Sequence, residues 1–382
     1  MDNLTHSLVG LAAAKAGLEK LSPGATTLCV LAANAPDIDV GVLVFAGRWP
    51  FLHYHRGITH SIVGVAVLAV ALPVIFCLTD RIAARIRKRD AQFRFSGLLV
   101  ASLVTTATHP ILDWTNNYGM RFLLPWNSKW TYGDFAFVID PYIWLLLGGA
   151  TFVVSTKTPA KRILWLVLGI IATFLVTIGS AIQSPSANFW GMRVVWVVGI
   201  FAVVWIYLRW PEFRNPRQVA RGAAVVAVLY LLALAGLHAV ALREARAVAT
   251  EIARVNSEQQ VDVAAMAALG NPFKWDCVTE TNLATYKFNI SLLSNGTNEA
   301  RSMRFEKPSG RVAAAVAEAE RDSRAQVLLE FMRFPGFRVV GSDCATQTLV
   351  QFADLRYTEP GKRNGSFSLE VPIECPFSSQ EK

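Results

Sequence analysis

The segment LHYHRGITHS, residues 52–61, holds three of the six histidines of this 382-residue chain, and a long apolar run follows it directly. A neutral imidazole is a good ligand for divalent metals, and a polar group kept beside a bilayer is costly unless it has a function. We therefore predict that His55 and His60 belong to a metal site. The rest of the first 140 residues is expected to supply carboxylates and further histidines to this site.

The composition is that of a membrane protein. Hydrophobic residues make up 53% of the chain and charged residues only 17%, and several apolar runs approach the length that crosses a bilayer. The net charge of +9 could indicate nucleic-acid binding, but most basic residues lie in short loops between apolar runs, as the positive-inside bias produces. No nucleic-acid-binding motif is present. We predict an α-helical polytopic membrane protein, with the lipid bilayer and not nucleic acid as its partner.

Residues 1–36 predict two short apolar helices, at 7–16 and 25–35, joined by a turn. Each helix is too short to span about 30 Å of hydrocarbon at about 1.5 Å per residue, so a re-entrant hairpin fits better. The hairpin places His6, at its start, on the same side as Asp37 and Asp39, which follow its end.

Six transmembrane helices are predicted after the hairpin, at 61–78, 97–112, 142–154, 163–182, 194–208 and 219–240. Basic segments at 80–94, 157–162 and 209–221 mark the cytoplasmic side. All three segments agree on one orientation. In that orientation the non-cytoplasmic face carries His6, Asp37, Asp39, His55, His60, His109 and Asp113.

The composition changes at residue 241. Residues 241–270 have a charged, Ala-rich helix pattern. The later segments KFNISL, RVVGSD, TLVQFADLRY and SFSLEVPI alternate like strands, with a helical stretch at 311–334 among them. We predict three regions: a membrane-embedded metal-site region at 1–145, further transmembrane helices at 146–240, and a soluble α+β domain on the periplasmic side at 241–382.

Three cysteines lie in the C-terminal region, and an extracytoplasmic location would allow a disulfide. Two of Cys277, Cys344 and Cys375 would then pair and one would be left over. The sequence does not choose the pair.

Two pairs of polar residues have spacings that suit a shared ligand. His109 and Asp113 stand four apart, so on a helix they lie on one face. Asp37 and Asp39 stand two apart and share a face on an extended segment; on a turn, one could bind while the other orients a histidine. The two aspartates also fit helix caps. Arg56 could hold a phosphate bidentately, or it could be a long side chain that reaches the membrane edge.

A mixed set of histidines and aspartates suits zinc, or a two-metal site that uses zinc, manganese or magnesium. Such a site lowers the pKa of a bound water and clamps the oxygens of a phosphoester. The sequence contains no nucleophile-elbow motif and no phosphate-binding glycine loop. Catalysis by a nucleophilic serine is therefore not favoured.

Five motifs carry a resemblance to a known family: MDNLTHSLVG, APDID, HRGITHS, HPILDWTNNYG and VIDPYIW. They resemble the YdjM-like family of predicted inner-membrane metal-dependent hydrolases, most strongly over residues 1–145. The family in turn is distantly similar to zinc-dependent phospholipases C. The resemblance implies a bacterial inner-membrane location and hydrolase activity. It implies the metal ligands His6, Asp37, His60, His109 and Asp113, with Asp39 and His55 next. From the residues themselves we predict catalytic roles for Asp39, His55 and Arg56, with Arg56 holding the anionic group.

The leading functional prediction is therefore a metal-dependent hydrolase at the outer face of the inner membrane. Its substrate would be a phosphoester, such as a lipid head group or a lipid-linked intermediate. One alternative is a non-enzymatic scaffold with a structural metal, whose C-terminal domain binds a periplasmic partner. Another is an ion- or proton-coupled transporter. The sequence leaves the choice of metal, the substrate and the oligomeric state open.

Overall fold

The computed structural model describes residues 1–156, 158–179, 189–209, 215–293, 302–341, 348–362 and 366–374. Its α-helices are α1 (Asn3–Ala16), α2 (Ala25–Asn34), α3 (Gly41–Ala46), α4 (Arg48–Tyr54), α5 (Ile62–Ile86), α6 (Phe95–Trp114), α7 (Pro141–Ser155), α8 (Pro159–Phe174), α9 (Trp190–Arg209), α10 (Pro216–Val255), α11 (Gly310–Ala319) and α12 (Ser323–Phe331). Its strands are β1 (Gln260–Ala268), β2 (Asn271–Thr281), β3 (Ala284–Ser291), β4 (Met303–Glu306), β5 (Pro335–Val340), β6 (Thr348–Asp354) and β7 (Ser368–Ile373).

Within these described residues, six helical segments are long and apolar enough to cross a membrane. They are Ala25–Ala46, Ile62–Ile86, Phe95–Trp114, Pro159–Gly179, Trp190–Arg209 and Pro216–Val255. The predicted polytopic helical class is confirmed. The set differs from the predicted one in two places: α7 has only 15 residues, and α2 continues through a 3-10 segment, Ala35–Val40, into α3.

Helices α1 and α2 form the predicted hairpin, and small residues let them approach closely. The expectation that its second helix is too short to span was wrong, since the continuous segment Ala25–Ala46 has 22 residues. A Cβ atom added to Gly10 would lie 2.5 Å from the carbonyl oxygen of Cys29 on α2. The buried side chains of Ala14, Leu28 and Leu98 belong to one core cluster, so α1 and α2 also pack on α6. Small residues at such contacts are the usual means by which membrane helices associate.

The turn of the hairpin lies beside basic segments of the chain. The backbone N–H of Arg94 donates to Ser22 Oγ at 2.9 Å, and Arg221 Nε donates to the carbonyl oxygen of Ala16 at 2.9 Å. Because α1 runs away from this turn, His6 lies toward the opposite end of the bundle, near the C-terminal end of α6.

Two helices are longer than predicted, and one predicted helix ends early. Helix α5 runs to Ile86 and includes part of the basic segment, since Arg and Ala are good helix formers. Helix α10 joins the last predicted span to the charged pattern, but it ends at Val255. The prediction of helix up to residue 270 was wrong: Ser257 adopts a left-handed φ of 54°, and the alternating sequence QVDVAAMAA that follows forms β1.

The C-terminal region is α+β, as predicted. It contains a sheet with the strand order β1-β2-β3-β4 and a second sheet with the order β5-β6-β7. The four predicted strand segments form β3, β5, β6 and β7, whereas β1, β2 and β4 were missed. The predicted helical stretch is divided into α11 and α12. Met266, Val278, Phe334 and Leu355 form a buried cluster that joins the two sheets.

The chain divides into two compact units. One contains Met1–Ile38, Arg56–Leu237 and Ala267–Pro272, and the other contains Asp39–His55, His238–Met266 and Phe273–Lys382. The short helices α3 and α4 thus belong with the C-terminal region. Arg48 on α4 donates to the carbonyl oxygens of Ser366 and Ser368 at 2.6 and 2.8 Å, and His53 Nδ1 lies 3.0 Å from Glu330 Oε2. The boundaries at 145 and 240 stay predictions.

The disulfide prediction falls mostly on residues outside the described part of the chain, where Cys344 and Cys375 lie. Cys277 is a free, buried thiol on β2. Burial raises the pKa of the Cys277 thiol well above its usual range, so this thiol is a poor nucleophile.

We expect Gly10→Val to disrupt the hairpin, because the added side chain would meet the α2 backbone. The variant should lose at least about 2 kcal/mol of stability, measured as a lower midpoint of thermal unfolding in detergent. Gly222→Val is the matched control, since nothing lies within 4 Å of a Cβ at that position. Equal midpoints for the two variants would contradict the close approach of α1 and α2.

Candidate metal centre

Four of the predicted ligands converge in the first compact unit: Asp37, His60, His109 and Asp113. Asp37 lies on the 3-10 segment after α2, and His60 ends a 3-10 turn just before α5. His109 and Asp113 lie near the C-terminal end of α6, which stays helical through Pro110 and keeps both side chains on one face. Three of the four residues are at most 1% exposed, and Asp37 is half-buried.

The distances among the four ligand atoms fit a single small cation. The Nε2 atoms of His60 and His109 are 3.2 Å apart. Asp37 Oδ1 lies 3.3 and 3.5 Å from these two nitrogens, and Asp113 Oδ2 lies 3.6 and 3.5 Å from them. A tetrahedron with zinc–nitrogen bonds of about 2.0–2.1 Å has edges of about 3.3–3.4 Å. These five ligand–ligand distances therefore match the edges of a tetrahedral site, and imidazole and carboxylate groups are among the usual zinc ligands.

The backbone fixes which nitrogen of His109 faces the cluster. His109 Nδ1 lies 2.6 Å from the carbonyl oxygen of Ala33. Since a carbonyl can only accept, Nδ1 carries the proton and Nε2 keeps its lone pair for the cluster. Thr59 Oγ1 lies 3.0 Å from His60 Nδ1 and occupies the corresponding position for that ring. Both histidines thus have the outer partner that is typical of metal ligands.

The fifth predicted ligand, His6, lies on the other side of Asp113. Its Nε2 atom is 3.2 Å from Asp113 Oδ1, and its ring stacks on His109 with centroids 3.7 Å apart. The Met1 amino group also contacts Asp113 Oδ1. Within the described residues His6 Nδ1 is buried and has no hydrogen-bond partner. The two oxygens of Asp113 thus face different groups, Oδ2 the four-residue cluster and Oδ1 His6.

The start of α1 is held in place by polar contacts that sequence reasoning missed. Asp2 caps the helix by accepting from the backbone N–H of Thr5 at 3.0 Å. The indole Nε1 of Trp144 on α7 donates to Asp2 Oδ1 at 3.2 Å and to Thr5 Oγ1 at 3.0 Å. Asp2 and Trp144 lie in two of the motifs that carry the family resemblance, MDNLTHSLVG and VIDPYIW. Their place in these motifs is the sequence feature that could have indicated the contact. These contacts fix the position of His6 relative to α7.

Arg56 is buried beside Asp113. Its Nε lies 3.1 Å from Asp113 Oδ2, and its Nη1 donates to the carbonyl oxygens of Asp113 and Gly119 and to Asn116 Oδ1. The guanidinium stacks over the ring of Tyr118 at 4.6 Å. Arg56 also has a left-handed φ of 53°, a conformation that costs a non-glycine residue about 1–3 kcal/mol and is found mostly at functional sites. These contacts hold Asp113 and the loop after α6.

Asp39 and His55 are placed in the second compact unit. His55 Nδ1 lies 3.0 Å from Asp39 Oδ1, and the His55 ring stacks on Phe51 of α4 with centroids 4.6 Å apart. The pair joins the two ends of the 39–55 segment. Asp39 lies on a 3-10 turn rather than an extended segment, so of the two geometries considered for the aspartates the turn is the one present. The catalytic roles of Asp39, His55 and Arg56 stay predictions.

We expect Arg56→Lys to weaken metal binding without abolishing it. Lysine keeps the charge but loses the fork of donors that orients Asp113, and the loss of such an outer partner costs about 10–100-fold in metal affinity. Competition with a chromophoric zinc chelator measures the effect. Arg48→Lys is the control, since Arg48 also bonds to carbonyl oxygens but belongs to the second unit. Wild-type affinity in Arg56→Lys would contradict this role.

Comparisons with known proteins agree with this picture of the membrane region. The family model described as YdjM inner membrane protein matches residues 1–210, which include all eight predicted site residues. The uncharacterized protein YfhP of Bacillus subtilis (strain 168) is 30% identical over an alignment of 155 residues, and the match covers 38% of this chain and 43% of that protein. The chain thus spans less than half the length of this relative.

No solved structure shows significant similarity to the chain. None of these matches concerns phospholipases C, and that resemblance stays a prediction. The family model covers more than half of the chain, and the matched residues include those that form the cluster. The chain belongs to the YdjM inner membrane protein family.

Proposed function

We propose that the chain is a membrane-bound metal-dependent hydrolase that cleaves a phosphoester, such as a lipid head group or a lipid-linked intermediate. The observation that carries the proposal is the convergence of Asp37, His60, His109 and Asp113 at tetrahedral spacing. Buried carboxylates and imidazoles are costly in a membrane protein, and they are typical of sites that bind ions or do chemistry.

A divalent cation, for which zinc is the first choice, would be held by these four residues. When bound, such an ion supplies a Lewis acid for the phosphoryl oxygens and a water of lowered pKa. His6 and the second oxygen of Asp113 are the chain's own groups for a neighbouring second ion or for proton transfer. In this proposal Arg56 fixes Asp113 and adds positive charge that attracts the anionic substrate. Asp39 and His55 keep the catalytic roles that the sequence predicts for them.

We place the site at the outer face of the inner membrane and the C-terminal domain in the periplasm. The support is the arrangement of α6, whose N-terminal end follows the basic segment 87–94 and whose C-terminal end carries His109 and Asp113. By the positive-inside rule the basic end is cytoplasmic, and 20 residues of helix put the other end about 30 Å away.

A second candidate function also has an observation in its favour. The four donors are enough to fill a tetrahedral coordination sphere without water, and closed four-ligand sites are characteristic of structural zinc. A scaffold with a structural metal, whose C-terminal domain binds a periplasmic partner, fits that reading. The transporter alternative expects ligands deep in the bilayer, and the position of the cluster at a helix end gives it no support.

Metal analysis of the purified protein is the first test. We expect about one or two equivalents of a divalent metal in the wild type, and a loss of metal in His60→Ala and Asp113→Asn with unchanged membrane insertion. His53→Ala is the matched control, because His53 lies on α4 in the second unit. A wild type without metal in chelator-free preparations would overturn the proposal.

The coordination number separates the hydrolase from the scaffold. We expect the cobalt-substituted protein to show an absorption spectrum that changes when phosphate is added, since a hydrolase with these four donors must accept a fifth ligand or exchange one of the four. The same preparation should release product from phosphodiester or phospholipid substrates, and Asp113→Asn should not. A tetrahedral spectrum that is insensitive to phosphate, together with no turnover, would favour the scaffold.

Cysteine labelling tests the orientation. In intact cells, a membrane-impermeant maleimide should label Lys129→Cys, in the loop after α6, and should label Asp90→Cys only after permeabilisation. Both positions are exposed, and the unmodified chain gives the background from its native cysteines. The reverse pattern would put the metal cluster on the cytoplasmic side.

A further inference from the structure

A second site lies in the membrane region, on the far side of α1 from the metal cluster. It is a cavity of about 620 Å³ bounded by α1, α7, α8 and α9. Its lining is almost entirely apolar and includes Leu8, Trp144, Phe152, Trp165 and Tyr207. The volume is within the range of about 300–1,000 Å³ that is usual for ligand pockets.

Helix α1 separates this cavity from the metal cluster. Leu4 and Leu8 line the cavity and stand four residues apart, so they share one face of α1. His6 stands two residues from each, about 200° around the helix at 3.6 residues per turn, and it contacts Asp113 instead. The cavity is therefore a distinct site that shares a wall with the metal centre.

The dimensions and openings of the cavity suit a hydrocarbon chain from the bilayer. Its lining on α9 extends from Trp196 to Leu208, which is about 18 Å of helix, close to half of the hydrocarbon core of about 30 Å. Leu166, Ile170 and Leu208 line the cavity and are also 63, 61 and 68% exposed on the apolar exterior. A lipid tail can therefore enter sideways without crossing water.

Among the residues that the structure describes around the cavity, one is charged. Arg162 lies in the first turn of α8, and its Nε donates to the carbonyl oxygen of Thr156 at 3.3 Å. A basic residue at the beginning of a spanning helix lies near the depth of lipid head groups. We propose that the cavity binds one acyl chain of an anionic phospholipid, with Arg162 next to the phosphate of the head group.

Two glycines in the lining allow the cavity to be filled without a clash. A Cβ added to Gly148 would lie 3.8 Å from Leu8 Cδ1, an ordinary contact, and one added to Gly169 would have nothing within 4 Å. Gly148→Leu and Gly169→Leu should thus occupy the space of the tail and leave the helices in place. Gly236→Leu on α10 is the matched control, because that glycine also has open space and does not line the cavity.

The test uses the full chain in nanodiscs of phosphatidylcholine and phosphatidylglycerol that contain a trace of phosphatidylglycerol with a photoactivatable acyl chain. We expect label to concentrate on peptides with Phe152, Trp165 and Tyr207. Filling the cavity in Gly148→Leu or Gly169→Leu should lower that label about fivefold, and Gly236→Leu should equal the wild type. Two results would overturn the proposal. One is label that is spread evenly over the exposed residues of α10 and that the filling variants do not change; the other is protein–protein crosslinks at the peptides named above.

A second comparison tests whether Arg162 lies next to the phosphate of the lipid head group. Arg162→Gln should reduce labelling by phosphatidylglycerol relative to a phosphatidylcholine probe by about fivefold, and Lys161→Gln, which removes a neighbouring charge outside the lining, should not. Equal use of the two probes by the wild type would contradict the anionic preference. The experiment measures lipid binding and does not depend on hydrolase activity. Gly148→Leu, Gly169→Leu, Arg162→Gln and Lys161→Gln should all keep their metal. Failure of the hydrolase proposal would therefore leave this result interpretable.

Discussion

The structure of the membrane region depends on the need to compensate buried charge where three helical segments meet. Asp113 is nearly fully buried and has Arg56, His6 and the two cluster histidines around it. Burying a carboxylate without partners would cost several kcal/mol of folding free energy. Removing one partner destabilises the protein by more than the pair contributes to its stability, because the remaining charge stays buried. Each neighbour is therefore constrained by the same group. The side chain of Asp113 is the point at which α1, α6 and the segment before α5 are connected.

That constraint also explains why close packing of α1 against α2 matters. Helix α1 carries His6 near its start and Gly10 one turn later, and Gly10 fixes its distance from α2. Helix α2 leads directly to Asp37, and its Ala33 carbonyl sets the tautomer of His109. A shift of α1 against α2 would displace a ligand and an outer partner together. Small residues in the hairpin thus contribute to the geometry of the site as well as to helix association.

The sequence predicted the membrane class, the hairpin and the residues of the cluster because these follow from local rules. The i, i+4 spacing of His109 and Asp113 and the motif that holds His60 are visible in one dimension. It did not predict the strands β1 and β2, because the Ala-rich stretch after α10 has a composition that also suits helices. Nor did it predict that 39–55 belongs with the C-terminal region, since that grouping depends on long-range contacts such as Arg48 with Ser366 and Ser368.

The surroundings of His6 bear on how a four-donor site could also take part in a reaction. A closed tetrahedron suits a structural ion, yet Asp113 presents its second oxygen to His6, whose Nδ1 is buried without a partner in the described part of the chain. A structural site needs no such orphaned imidazole, and burying one costs about 1–3 kcal/mol. The cost is more easily understood if His6 has a further partner, an ion or a proton, when the protein works. The unpartnered His6 nitrogen beside Asp113 thus supports the proposed hydrolase over the proposed scaffold.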